Sequence, residues 1–443
     1  MRRTILVELN ELNMEFVRRY VAAGHLATFG RLIDQHGLSE TTSETRYEEI
    51  EPWIQWVTAH TGLPLLEHGV FRLGDICETQ HRQIWEHLEE LGLSVGAVSP
   101  MNAVNRTRRA AFFIPDPWTR TEVSGGRLVR EFYRGLAQAV ADNAKHRVEL
   151  RSYLAIVMGW LAHFRSASLW RQLRAVRFQA ARPWSRALFL DRLLADVFLT
   201  RWRRSRPAFA SVFVNAAAHI QHHYMYSSTA YEGPNRNPDW YLPKGLDPLL
   251  DVYELYDEFL AELESLPGRP RLVIATGLHQ DPQPEPVYYY RLRYHAAFLE
   301  RLGIRASVVT PLMSRDFRLA FEDASQAAAA AQVLGSLHGR DGEALFSVDN
   351  RGSSLFVTLV YPHEISSPFV PMGTSGPLWD ISRDVVFVAL KNGRHNGVGY
   401  LLDTGSGINA PTRPKSMPLS ALFDYIVGIC RGDPATQGAR GGS

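Results

Sequence analysis

Short apolar runs punctuate this chain at regular intervals, each closed by polar or glycine residues. Ile5 to Leu9, Ser94 to Val98, Ala208 to Val214, Leu272 to Ala275, Ser307 to Thr310, Leu355 to Val360 and Val385 to Leu390 carry the β-branched and aliphatic residues of strands. Between them lie stretches with helical periodicity: the segment up to Ile33 that Gly37 closes, His81 to Leu91, Leu246 to Leu266, and the alanine-rich Ala324 to Leu337. Strands alternating with helices predict an α/β fold, a mainly parallel central sheet with helices on both faces. Ligands of such sheets bind at the carboxyl ends of the strands, so the residues just after each run are the ones to search for chemistry.

One stretch breaks the alternation. Residues 121–206 read as a helical insert or cap on a core formed by 1–120 and 207–430, with 431–443 a small, polar, disordered tail. From Arg165 to Arg206 there are eleven arginines against Asp191 and Asp196, with Trp160, Phe164, Trp170, Phe178, Trp184, Phe189, Phe198 and Trp202 interleaved or just upstream. Such a segment is either a solvated helical face over its own aromatic core or a surface for an anionic substrate or peripheral membrane contact. Composition narrows the classes. Two cysteines in 443 residues exclude a disulfide scaffold and a cysteine-rich zinc site, and a net charge of +2 excludes a globally basic nucleic-acid binder. The N-terminus reaches a carboxylate too early for a signal peptide, so the expected location is cytoplasmic. Oligomeric state is not encoded in any of this.

The densest local signature is EPWIQWVTAHTGLPLLEHGV, residues 51–70, with Thr58 three residues before the Thr61-Gly62 pair, then Pro64 and His68-Gly69. It resembles the nucleophile loop of the alkaline phosphatase superfamily, in its nucleotide pyrophosphatase/phosphodiesterase-like branch. The resemblance implies an alkaline-phosphatase-like sheet and a threonine that opens a helix and attacks phosphorus, which makes Thr58 the nucleophile candidate. It also implies two metal ions on Asp and His ligands, and here the ligand pattern is degenerate. Asn10 stands where the first strand should end in aspartate, with Glu8 on the same side of the strand as its substitute. The Asp-x-x-x-His motif becomes Asn215 to His219, and the late His-x-Gly is kept as His395 to Gly397. The Asp-His pair falls at Gly277-Leu278, beside His279 and Gln280.

A two-metal mechanism is therefore not expected; the cofactor is at most one divalent metal, zinc first, or none where the site is fully degenerate. His60 supplies an acid or base two residues after Thr58, while Glu51, Gln55, His222, His223 and His279 are the substrate-contact candidates. Three functional readings stay open. The first is an enzyme that hydrolyses or transfers a phosphoryl or related anionic ester of a small or lipid-linked substrate, through Thr58. The second is a metal-independent transferase, lyase or condensing enzyme of a biosynthetic pathway on the same fold, and the third a non-catalytic scaffold. No nucleic-acid partner is expected.

Overall fold

Every residue of the strand Thr4–Leu9 is buried, which requires cover on both faces of its sheet. The computed structural model describes residues 2–141, 158–159, 182–312, 315–374, 376–405 and 415–432. Thr4–Leu9 pairs in parallel with Arg271–Ala275 on one side and Phe209–Val214 on the other. Phe209–Val214 continues in parallel to Val95–Val98 and then Phe112–Ile114. Beyond Arg271–Ala275 comes Val398–Asp403, antiparallel to both its neighbours, followed by Ser39–Thr42 and Ser416–Pro418. The result is an eight-stranded α/β sheet, mainly parallel, as the alternation of strands and helices predicts.

Side-chain alternation sends Ile5, Val7 and Leu9 into one apolar layer and Leu6 into the other. The first layer holds the helices Met14–Ala22, Ala27–His36, Ser185–Ser205, Ala216–Tyr224 and Pro248–Glu264; the second holds Pro52–Thr61, Ile84–Glu90 and Ala421–Arg431. At about 1.5–3 kcal/mol for each large apolar side chain removed from water, these two layers are the main stabilising term.

Two boundaries differ from the sequence reading. The helix Ser185–Ser205 is not part of a cap: Leu193, Val197, Phe198 and Trp202 are buried in the first layer with Val212 of the sheet. One of its arginines, Arg192, is itself buried between Asp196 and Glu262. The remaining insert arginines at 165, 171, 174 and 177, with Trp160, Phe164, Trp170 and Phe178, lie outside the described residues, as does the tail from 433.

The core assigned to 207–430 also divides. Residues 234–237 and 283–392 form a second compact unit, and the chain leaves the first unit along His279–Leu292 and returns along Val385–Asn396. Its sheet is antiparallel, in the order Phe346–Asn350, Ser354–Leu359, Asp316–Ala320, Val308–Pro311. Ser354–Leu359 buries every second residue, so this sheet has one wet face and one apolar face. Phe298, Phe317, Leu334, Phe346 and Val357 form its separate core. Alternation of that kind carries no parallel-sheet signal, which is why apolar runs alone did not separate the two units. Among the described residues no helix is long and apolar enough to cross a membrane.

Candidate active site

The first parallel strand ends in Glu8, Leu9, Asn10, Glu11, and the four residues take four different environments. Glu8 points into the second apolar layer, where its Oε1 lies 3.1 Å from Nε2 of His60, both side chains wholly buried. The His60 ring is stacked on Trp56 and packed against Trp85. Among the described residues Glu8 Oε2 and His60 Nδ1 have no hydrogen-bond partner. This sealed pair corrects two expectations: Glu8 is not presented as a metal ligand and His60 is not presented to a substrate.

Asn10 is equally enclosed. Its carbonyl accepts from Trp56 Nε1 at 2.7 Å and its amide donates to Asn215 Oδ1 at 2.7 Å and Glu11 Oε1 at 3.0 Å. Asn10 and Asn215 thus bind each other and brace Glu11, in place of the ligand roles the resemblance implies. Asn215 is held in turn by Asp191, which accepts from the Asn215 and Ala216 N–H groups and from Tyr256 Oη. Burial pushes the Asp191 carboxyl up to about 6 against those three donors.

At Glu11 the backbone turns into the left-handed region, φ 59°, a cost of roughly 1–2 kcal/mol for a non-glycine residue. Asn13 then caps the helix Met14–Ala22 by accepting from the Glu15 and Phe16 N–H groups. The turn aims the Glu11 carboxylate at two histidines. Glu11 Oε2 lies 3.1 Å from His395 Nε2 and 3.4 Å from His222 Nε2, and the two histidine nitrogens are 3.2 Å apart. Gln280 donates to the same oxygen. Burial alone would raise the Glu11 carboxyl, but His395 and His222 outweigh it and hold the group well below the ordinary carboxylate range.

Both rings are oriented from behind. His222 Nδ1 lies 3.3 Å from the Gly393 carbonyl, which can only accept, so in the neutral ring the proton sits on Nδ1 and Nε2 is the atom left to ligate a cation. Glu51 Oε2 lies 3.5 Å from His395 Nδ1 and acts on that ring in the same sense. Carboxylate or carbonyl support of the far nitrogen is what metal-ligating histidines ordinarily have. The spacing can be tested against an ion. Zinc ligands at 2.0–2.1 Å in a tetrahedron stand about 3.3 Å from one another, and the three distances here are 3.1, 3.2 and 3.4 Å. The donor set fits one zinc-sized cation.

The other candidates lie elsewhere. His219 is exposed on the helix Ala216–Tyr224, its ring 5.0 Å from that of His223 and outside the triad; the partner of His395 is His222, one helical turn on. His223 is half-buried between them. His279 is a strap, one nitrogen on the Val398 carbonyl and the other on Asp281, which also accepts from Asn396. Gln55 is buried and donates to Glu44 and to the Glu49 carbonyl.

Thr58 requires the largest correction. The helix runs Pro52–Thr61, opened by Glu51 and closed by Gly62 at φ 74°, so Thr58 sits in its last turn and is 3% exposed. Its Oγ1 lies 3.1 Å from His68 Nε2. The Val70 N–H donates to His68 Nδ1, which fixes the His68 proton on Nε2, and that proton points at Thr58. His68 therefore donates to Thr58 and offers it no base. Thr58→Val should leave zinc binding unchanged while costing roughly 1–3 kcal/mol in urea denaturation, because the buried His68 donor loses its acceptor.

Burial lowers the His68 imidazole to about 4, with the neighbouring His81 adding to the shift. Between about 4 and the ordinary 6.5 the unfolded chain binds more protons than the folded one, so stability rises with pH across this window and is lost as pH falls through it. At ~1.4 kcal/mol per unit the loss is at most about 3.5 kcal/mol. Denaturation of the wild type and His68→Gln at pH 7 and 4.5 should show the wild type losing more.

Sequence reading named His395 and His222 but missed Glu11 and Gln280 as their partners. Glu11 lies past the strand, where inward–outward alternation no longer applies; the available signal was the polar cluster at 10, 11 and 13 closing the first apolar run.

No protein-family model matches this chain, and no curated protein matches it. Solved structures do align along its length. Phosphonoacetate hydrolase from Sinorhizobium meliloti 1021 is 14% identical, covering 97% of this chain and 96% of that one at a TM-score of 0.44. Murine ectonucleotide pyrophosphatase/phosphodiesterase 5 is 9% identical, covering 97% and 95% at 0.43. A variant of alkaline phosphatase PafA is 11% identical, covering 97% and 96% at 0.42. At such identities and scores no activity or residue role passes from them to this chain.

Proposed function

We propose that this chain hydrolyses or transfers a phosphoryl or related anionic ester group, with one divalent metal, zinc first, held by Glu11, His222 and His395. The observation that carries the reading is the convergence of these three ligand atoms at the carboxyl end of the first parallel strand, at separations that suit one zinc ion. When bound, such a metal acts as a Lewis acid on an ester oxygen. The protein groups do the rest. Glu11 supplies the only negative charge of the triad, and Gln280 and Asn10 fix its two oxygens. Gly393 sets the His222 tautomer. Glu51, part-exposed at the start of its helix and beside His395, is the carboxylate placed to take a proton from an attacking hydroxyl. With Thr58 enclosed against His68, no side-chain nucleophile is assigned. The substrate is a small or lipid-linked anionic ester.

Metal content and zinc titration by calorimetry test this reading, followed by turnover on aryl phosphate monoesters, diesters, sulfates and phosphonates. One zinc per chain, with turnover lost on chelation and restored by zinc, is the expected result. Turnover that survives exhaustive chelation would favour metal-independent chemistry, and neither zinc binding nor turnover would favour a scaffold.

A further inference from the structure

The opposite edge of the main sheet, where its parallel strands begin, carries a second constellation that the reading above does not use. A cavity of about 210 Å³ is lined there by Arg2, Arg3, Leu93, Ser94, Arg206, Ala208 and Cys430. These residues immediately precede the strands Thr4–Leu9, Val95–Val98 and Phe209–Val214, or in the case of Cys430 end the helix Ala421–Arg431. The site is thus separated from Glu11 by the length of the first strand.

Each arginine is tied by part of its side chain or backbone. Arg2 donates through Nε to the Arg269 carbonyl at 2.5 Å and through Nη2 to the Pro270 carbonyl at 3.2 Å. Arg3 donates through Nε to the Arg206 carbonyl at 2.8 Å. Arg206 is the left-handed cap, φ 44°, that ends the helix Ser185–Ser205. A guanidinium has five N–H donors, so anchoring one or two of them fixes the fork and leaves the others to turn toward a ligand. Among the described residues none of the three arginines forms an ion pair with a carboxylate. The acid beside them, Asp403, is already held by both forks of Arg271 and by Tyr425. Ser94 Oγ accepts from the Ala208 N–H, which leaves its own O–H proton to donate.

Arg2 also lies close enough to two guanidinium groups beyond the cavity, Arg271 and Arg269, to feel their charge. Arg2 is shifted below the ordinary guanidinium range, by burial first and then by Arg271 and Arg269, with Asp403 offsetting only part. Those anchoring bonds use only part of each fork of Arg2 and Arg3, and among the described residues no carboxylate pairs with the three arginines that line the cavity. An anion bound among them would supply the missing counter-charge, and Arg–phosphate pairs are among the strongest charge-assisted hydrogen bonds.

We infer that this cavity is a binding site for a phosphate group, gripped by Arg2, Arg3 and Arg206 with Ser94 as an added donor. Two sources carry that chemistry, a soluble phosphate and the headgroup of an anionic lipid. The test compares the full chain with the variant Arg2→Gln, Arg3→Gln, Arg206→Asn, the last chosen because asparagine tolerates the left-handed backbone. All three side chains are exposed, so the variant should fold, and an unchanged circular dichroism spectrum checks this.

Inorganic phosphate should raise the melting temperature of the wild type in a concentration-dependent way, compared with sodium chloride at equal ionic strength. In the variant the apparent phosphate affinity should fall at least about tenfold, the scale of losing one charge-assisted hydrogen bond. In parallel, sedimentation with phosphatidylcholine vesicles containing phosphatidic acid reads the lipid source. Arginine-dependent sedimentation that free phosphate does not match assigns the site to a headgroup; arginine-dependent phosphate stabilisation without sedimentation assigns it to a soluble ligand. Equal responses of wild type and variant in both arms, or no response in either, overturns the site. Zinc binding at Glu11 should be the same in both proteins, so failure here is distinguishable from failure of the proposed function.

Discussion

Glu11→Gln is expected to weaken zinc binding by roughly 100-fold or more and to abolish metal-dependent turnover. Glu11 contributes the only carboxylate of the triad, and a neutral amide oxygen is a far poorer ligand for a dication. The substitution is nearly isosteric, so the left-handed turn at residue 11 is retained, although the single amide oxygen can serve either Asn10 or the ligand position beside Gln280, not both. A loss of binding is then attributable to charge at the ligand atom and not to collapse of the turn. The paired control is His219→Ala. His219 is exposed on the same helix as His222 but outside the triad, so its removal should change zinc affinity less than about twofold. Calorimetric titration of both variants checks the pair. Equal losses in the two would return His219 to the ligand set that the resemblance implies, and an unaltered Glu11→Gln would dissolve the triad.

The contrast between His219 and His222 shows how far sequence reading reaches here. The positions of strands in the mainly parallel sheet were legible because full burial leaves apolar runs that polar residues close, as at Thr4–Leu9 and Phe209–Val214. The site's neighbourhood followed from the same logic, since ligands gather where parallel strands end. The partition of side chains within that neighbourhood was not legible. Glu8, Asn10 and Glu11 are all polar and adjacent, yet one is sealed with His60, one is spent on Trp56 and Asn215, and one faces the histidines. What separates them is a single positive φ at Glu11 and two tryptophans that arrive from elsewhere in the chain. Motif spacing misled at Thr58 for a related reason. The spacing places a threonine before Thr61-Gly62, but the helix begins at Pro52, well before Thr58, so Thr58 lies in the last turn and not at the helix start.

Glu8→Ala should produce the largest loss of stability, about 3–5 kcal/mol, as a fall in the urea midpoint with little change in slope. Glu8 and His60 are both 0% exposed and 3.1 Å apart, between the sheet and Pro52–Thr61. Removing the carboxylate leaves the His60 Nε2 group without its partner in an apolar layer, in addition to the cavity left by the missing side chain. Breaking such a pair is costly because the surviving polar group has no water to turn to. Replacing both members with apolar residues of similar volume is a different matter, since it also removes the desolvation cost. Glu8→Met with His60→Phe should therefore recover most of the loss, and the phenyl ring inherits the contacts with Trp56 and Trp85. The two remaining polar atoms, Glu8 Oε2 and His60 Nδ1, have no hydrogen-bond partner among the described residues, so the double change leaves no new orphan there. Zinc binding provides the second readout. If the pair is structural, the double variant binds zinc at Glu11, His222 and His395 as the wild type does. Loss of zinc from a well-folded double variant would instead place Glu8 or His60 in the metal site.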